Sequence, residues 1–134
     1  MIKKAFILIL VFLLTICCNS GTYDNDPKSW KKVFGEDSPK GIEVIQSRFW
    51  KSAHWSYEFE FYCEMNATKE FLTYYFIDHF KMKRQKKKVV FYSNNKPNWF
   101  IKNLENYEVW EKEYSITLYL NEESDKAYLH CNQF

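Results

Sequence analysis

The side chains able to do chemistry are few and scattered. The three histidines, His54, His79 and His130, have none of the short spacings that gather imidazoles around a metal, so no metal site is expected. Four cysteines are present: Cys17 and Cys18 side by side near the N-terminus, and Cys63 and Cys131 within apolar runs. A nucleophilic cysteine needs an accessible, electropositive setting that favours the thiolate. Cys63 and Cys131 fall instead on the inward parity of candidate strands. Two readings remain for them, a disulfide across a long loop or two separate buried thiols. Glu58 and Glu60 are two apart on a candidate strand and share a face, but no sugar-binding segment accompanies them, and a solubilising role is the simpler expectation. Glycine occurs only at Gly21, Gly35 and Gly41, which removes phosphate-cradling loops, dinucleotide fingerprints and nucleophile elbows. Neither an enzyme nor a cofactor is expected.

The elements that would position these groups follow from periodicity. Trp55, Tyr57, Phe59, Phe61 and Cys63 alternate with His54, Ser56, Glu58, Glu60 and Glu64, and only Tyr62 breaks the rule. Alternation of this kind predicts a strand with one buried and one wet face. Residues 41–50 read as a preceding strand with blurred alternation, joined to it by a hairpin through Lys51, Ser52 and Ala53. Asn66 is a candidate cap for a helix carrying Phe71, Leu72, Tyr75, Phe76, His79 and Phe80 on one stripe. Further strands are expected at 89–92, 107–110, 114–120 and 126–131, the last two as a hairpin. A short helical turn is expected at 28–34. With 134 residues, 46% apolar, and 12 Phe, 10 Tyr and 5 Trp, the chain has enough surface to bury for one domain. The expected fold is α+β: a single domain with a curved antiparallel sheet and one main helix packed across it, in the order β-β-α-β-β-β-β.

The N-terminal segment reads differently. Lys3 and Lys4 precede an apolar run over residues 5–16 that is too short to span a hydrocarbon core, and this is the pattern of an export signal. The run Leu13-Leu14-Thr15-Ile16-Cys17-Cys18 resembles the lipobox of bacterial lipoproteins. That resemblance implies a signal over 1–18, a lipid on Cys18, with Cys17 the alternative, and a place on a bacterial cell membrane or outer membrane. The usual Gly, Ala or Ser before the cysteine is replaced here by Cys17. Residues 19–27 then read as a polar tether, and 28–134 as the domain.

Without Lys3 and Lys4 the 19 basic residues fall to 17, equal to the 17 acidic ones, so no nucleic-acid partner is expected. Charge is nevertheless segregated. Lys81, Lys83, Arg84, Lys86, Lys87 and Lys88 form a basic cluster, while Glu105, Glu108, Glu111, Glu113, Glu122, Glu123 and Asp125 make 105–125 acidic. Trp99 and Phe100 follow the turn-rich stretch 93–98 and could either plug the core or anchor a partner. The expectation is an envelope protein-binding module, with Trp99, Phe100, Glu105, Glu108, Glu111 and Glu113 as its partner face. An immunity-type inhibitor of an exported toxin is its most concrete form. The alternative is an envelope protein that binds a small apolar ligand, lipid or glycan, or has a structural role.

Overall fold

A computed structural model describes residues 20–53, 57–90, 93–113 and 115–133. The expected signal with Cys17 and Cys18, and the strand positions His54, Trp55, Phe91, Tyr92 and Tyr114, lie outside the described residues. Seven strands form one antiparallel sheet, and the architecture is mostly sheet within the α+β class. In chain order the elements are β1 (Gly21–Asp24), α1 (Ser29–Phe34), β2 (Glu43–Lys51), β3 (Phe59–Asn66), α2 (Lys69–Leu72), a π-helical segment (Thr73–Asp78), β4 (Lys83–Arg84), β5 (Tyr107–Lys112), β6 (Ile116–Asn121) and β7 (Lys126–Gln133). Across the sheet the order is β1-β2-β3-β7-β6-β5-β4. The long-range joint is β3 with β7, which pair from Phe59↔Gln133 to Asn66↔Lys126.

Alternation along the strands creates two faces, and both are covered. On one face Phe49, Phe61, Cys63, Met65, Leu118, Leu129 and Cys131 pack under Trp30 of α1 and Leu72, Phe76 and Ile77 of α2 and the π-helical segment. On the other face Tyr62, Val109, Tyr119 and Tyr128 pack under Val90, Phe100 and Ile101, which belong to the long 85–106 connection. The expectation of a wet second face is therefore corrected. Glu60 is 2% exposed, Glu64 6% and His130 2%. Alternation reports polarity, and a polar face can be buried when its groups find partners. Tyr62 is part of that second core.

Three further expectations are corrected. Residues 19–27 are not a tether throughout: Gly21–Asp24 pairs with β2, Asn25 N–H donates to the Ser47 carbonyl at 2.8 Å, and the Asp26 carboxylate accepts from the Lys28 N–H at 2.9 Å. Asn, Asp and Pro here turn the chain from an edge strand into a helix. The cap of α2 is Thr68, whose hydroxyl accepts from the Phe71 N–H at 3.3 Å, because Asn66 is still paired with Lys126 in the sheet. The strand expected at 89–92 is not formed at Val89 and Val90. Instead the chain reverses at Lys81 (φ 56°) and pairs Lys83 and Arg84 with Glu111 and Trp110 at once. The blurred alternation of β2 has its cause in a register irregularity between Val44 and Gln46, which leaves Ile45 46% exposed.

One glycine is fixed by contact. A Cβ on Gly41 would lie 2.6 Å from the Phe71 ring of α2, so a side chain there would require that ring to move.

Candidate binding pocket

Register gathers one end of every strand. Gly21, Lys51, Phe59 and Gln133 share a transverse row, Ile116 stands opposite both Cys131 and Lys112, and Lys83 stands opposite Glu111. At this end the helical layer does not close over the sheet. It leaves a pocket of about 1040 Å³ walled by Phe34, Phe59, Phe80, Ile116 and Cys131, with Glu36, Asp78, His79, Lys81 and Asn132 at its rim. The aromatic wall is a connected set: Phe34 stands 6.1 Å from Phe76 and 6.2 Å from Phe80, and Tyr75 stands 5.0 Å from Phe76.

The widened helical turn shapes this wall. Thr73–Asp78 is π-helical, and the Met82 N–H reaches back to the Ile77 carbonyl at 3.0 Å. π-turns advance the helix by an extra residue and recur at functional sites. Here the shift keeps Phe76 fully buried while Tyr75 and Phe80 stay half-buried around the opening. Tyr75 donates its hydroxyl to Glu36 Oε1 at 2.8 Å, and burial together with that carboxylate pushes the phenol up to about 12, so it stays protonated as a donor. Burial also holds the Cys131 thiol well above its ordinary value, which makes it a packing group rather than a nucleophile.

A second hollow of about 510 Å³ adjoins the first and shares His79, Phe80 and Lys81 with it. Its other walls bring Lys83 and Lys112 together with Glu111 and Glu113. Lys112 Nζ lies 5.7 Å from the centre of the Phe80 ring. Burial raises the Glu111 carboxyl above its ordinary value.

The polar groups of the opposite face form a closed cluster. Ser93 Oγ donates to Glu60 Oε2 at 2.7 Å, the Tyr62 hydroxyl donates to the same oxygen at 3.4 Å, and the Asn95 N–H donates to Ser93 Oγ at 3.1 Å. His130 lies 4.7 Å from the Tyr62 ring, and burial lowers it to about 4. Glu64 is held by Lys126 at 2.7 Å and by Gln46. The Ser93 contacts bind the 93–101 segment to the sheet, and His130 is 2% exposed.

The expected partner face is not assembled. Phe100 is fully buried, with its ring 5.0 Å from Tyr62 and 5.4 Å from Tyr128, and so plugs the second core; Trp99 is half-buried beside it. Glu108 points to the helix face, where it pairs with Lys69 and Arg84, both at 3.3 Å. Burial raises its carboxyl, but hydrogen bonds from Trp110 and Lys69 and the charges of Lys69 and Arg84 bring it below its ordinary value. Glu111 lies on the opposite face, because odd and even strand positions diverge. Glu113 sits in a left-handed turn (φ 46°), and Glu105 is exposed in the long connection.

Of the two readings for Cys63 and Cys131, the structure has the separate thiols: both are free and buried. Cys131 stands opposite Phe61, and Cys63 opposite Leu129, so the thiols are diagonal neighbours. Diagonal Cα pairs are about 7–8 Å apart, longer than a disulfide spans.

Sequence reading missed Phe34, Phe80, Ile116 and Lys112 as a group. They come from four separate elements and share no motif; the only local sign was an aromatic helix end running directly into a basic cluster. Among the described residues no cluster of three His, Cys, Asp or Glu side chains could hold a metal, and no helix is long and apolar enough to cross a membrane. No protein-family model, no curated protein and no solved structure matches this chain.

Proposed function

We propose that this is an exported envelope protein, anchored through lipid on Cys18 or Cys17, whose single domain binds a small, largely apolar ligand. The observation that carries the reading is the open pocket of about 1040 Å³ with an aromatic and aliphatic wall and a polar rim. Ligand sites are concave, mostly apolar and supplied with a few convergent polar groups. Binding rather than turnover fits the chemistry of the wall, where Cys131 is held as a thiol and Tyr75 as a phenol.

The test is a titration of the purified protein with the neutral fluorophore N-phenyl-1-naphthylamine. Saturable fluorescence that disappears in Ile116→Arg, with an unchanged melting temperature, supports the pocket. No enhancement, or the same enhancement in Ile116→Arg, overturns it.

A second reading is the capture of a cationic protein, of which an immunity-type inhibitor would be one form. It is favoured by Glu122, Glu123 and Asp125, all exposed in the β6–β7 turn at the end of the sheet away from Gly21. Affinity capture from envelope and secreted fractions, repeated with Glu122→Lys/Glu123→Lys, tests it. One stoichiometric protein lost in the variant supports this reading, and the same proteins held by both forms exclude it.

A further inference from the structure

Two placements limit what the pocket can meet. The first is where the chain emerges. Gly21 starts β1 opposite Lys51, in the same transverse row as Phe59 and Gln133, so the N-terminus leaves at the sheet end where the pocket opens. Three residue steps separate Cys18 from Gly21, a reach of about 10 Å at full extension. A lipid on Cys18 would therefore hold this end of the sheet, and the pocket mouth with it, against the bilayer. The acidic β6–β7 turn would face away.

The second placement is chemical. The apolar pocket and the adjoining hollow share His79, Phe80 and Lys81 along their border. Along and beyond that border stand Lys81, Lys83 and Lys112, the first two exposed. Of the two carboxylates there, Glu111 is half-buried opposite Lys83, and Glu113 is exposed in a left-handed turn. At the other rim Glu36 and Asp78 repel anions. The two hollows thus offer an apolar arm and, beyond their shared border, an arm where Lys81, Lys83 and Lys112 outnumber Glu111 and Glu113.

We infer that the ligand is a single-chain anionic amphiphile drawn from the anchoring membrane, with its acyl chain among Phe34, Phe59, Phe80 and Ile116 and its anionic head at Lys81, Lys83 and Lys112. This rests on the anchor and pocket reading above and adds the charge and the source of the ligand. The alkyl chain gains by leaving water for the aromatic wall. The head gains charge-assisted contacts from the lysines at a surface where a bilayer already concentrates anions.

The test uses the full chain in phosphatidylcholine vesicles containing a fatty acid with a diazirine near its terminal methyl. After irradiation the labelled peptides are mapped by mass spectrometry. A parallel sample carries the alcohol of the same chain, which is neutral. The fatty acid is expected to label the peptides bearing Phe80 and Ile116. The alcohol, and the fatty acid on Lys81→Gln/Lys83→Gln, are expected to label them about fivefold less, the scale of two exposed ion pairs. Thermal melting of the variant checks that the fold is kept. Equal labelling by acid and alcohol overturns the anionic head and leaves the pocket reading intact. Fatty-acid label confined to the lipid-bearing N-terminal segment overturns transfer from the membrane into the pocket. Absence of pocket label from both probes, together with a negative fluorophore titration, removes the pocket reading itself.

Discussion

The Ser93 hydroxyl donates to the Glu60 carboxylate at 2.7 Å, in a site where Glu60 is only 2% exposed. This contact ties the start of the 93–101 segment to the start of β3 and gives a buried carboxyl group one of its partners. Tyr62 supplies another at 3.4 Å. A carboxylate in such a place costs stability when a donor is lost, because water cannot replace it. Ser93→Ala is expected to lower stability by about 1–3 kcal/mol. Urea denaturation measures the loss, and amide exchange should speed up over 93–101 before it does in β3 and β7. Unchanged exchange in that segment would mean that its apolar contacts alone hold it.

Phe100 is the apolar counterpart of that latch. Its ring fills the space between Tyr62, Tyr119 and Tyr128 and is fully buried. Phe100→Ala is expected to cost about 3–5 kcal/mol, the range for emptying a buried aromatic site. Trp99→Ala, at a half-buried position, should cost distinctly less. Paired denaturation curves check the order of the two effects, and equal losses would show that Trp99 shares the plug.

His130 makes stability depend on pH in a defined direction. Burial lowers it from 6.5 to about 4. Below pH 6.5 the unfolded chain takes up a proton that the folded chain refuses, so stability falls as pH drops from 6.5 towards 4. The total is on the order of 3 kcal/mol. Carboxylates held low by partners, such as Glu64 and Glu108, lose their contribution only as pH falls below their unfolded value of 4.5. Urea midpoints between about pH 5 and 7 isolate the histidine. His130→Gln is expected to flatten that slope, and a slope unchanged in the variant would assign it to other groups.

The two described thiols should be silent towards reagents in the native protein. Burial pushes Cys63 up to about 12 and Cys131 well above its ordinary value. A thiol-reactive chromophore added to the native protein is expected to leave both unmodified, and to react with both once denaturant is present. Rapid native reaction at Cys131 would show that the pocket floor opens to solvent.

Much of the sheet was legible because its strands alternate. Phe59, Phe61 and Cys63 in β3, and Ile116, Leu118 and Leu120 in β6, take the inward face that a period of two assigns to them. The helical stripe was legible at Leu72 and Phe76 for the same kind of reason, although the π-helical turn moved His79 out to an exposed rim. The second core was not legible. Val90, Phe100 and Ile101 lie in a connection without periodicity, and the residues they cover include Glu60 and His130, whose types suggest solvent.

By itself the sequence determined what one strand or one helix can express: inward and outward parity, the hairpin through 121–125, and the absence of motifs for catalysis. These depend on residues a few positions apart, where backbone geometry repeats. Only the tertiary structure decided that β3 pairs with β7, that 21–24 is a strand and not part of a tether, and that Glu108 meets Lys69 and Arg84. It also decided that Phe34, Phe80, Ile116 and Lys112 meet at the end where the chain enters the domain. Those outcomes depend on which distant surfaces can be buried together, and no local pattern records that choice.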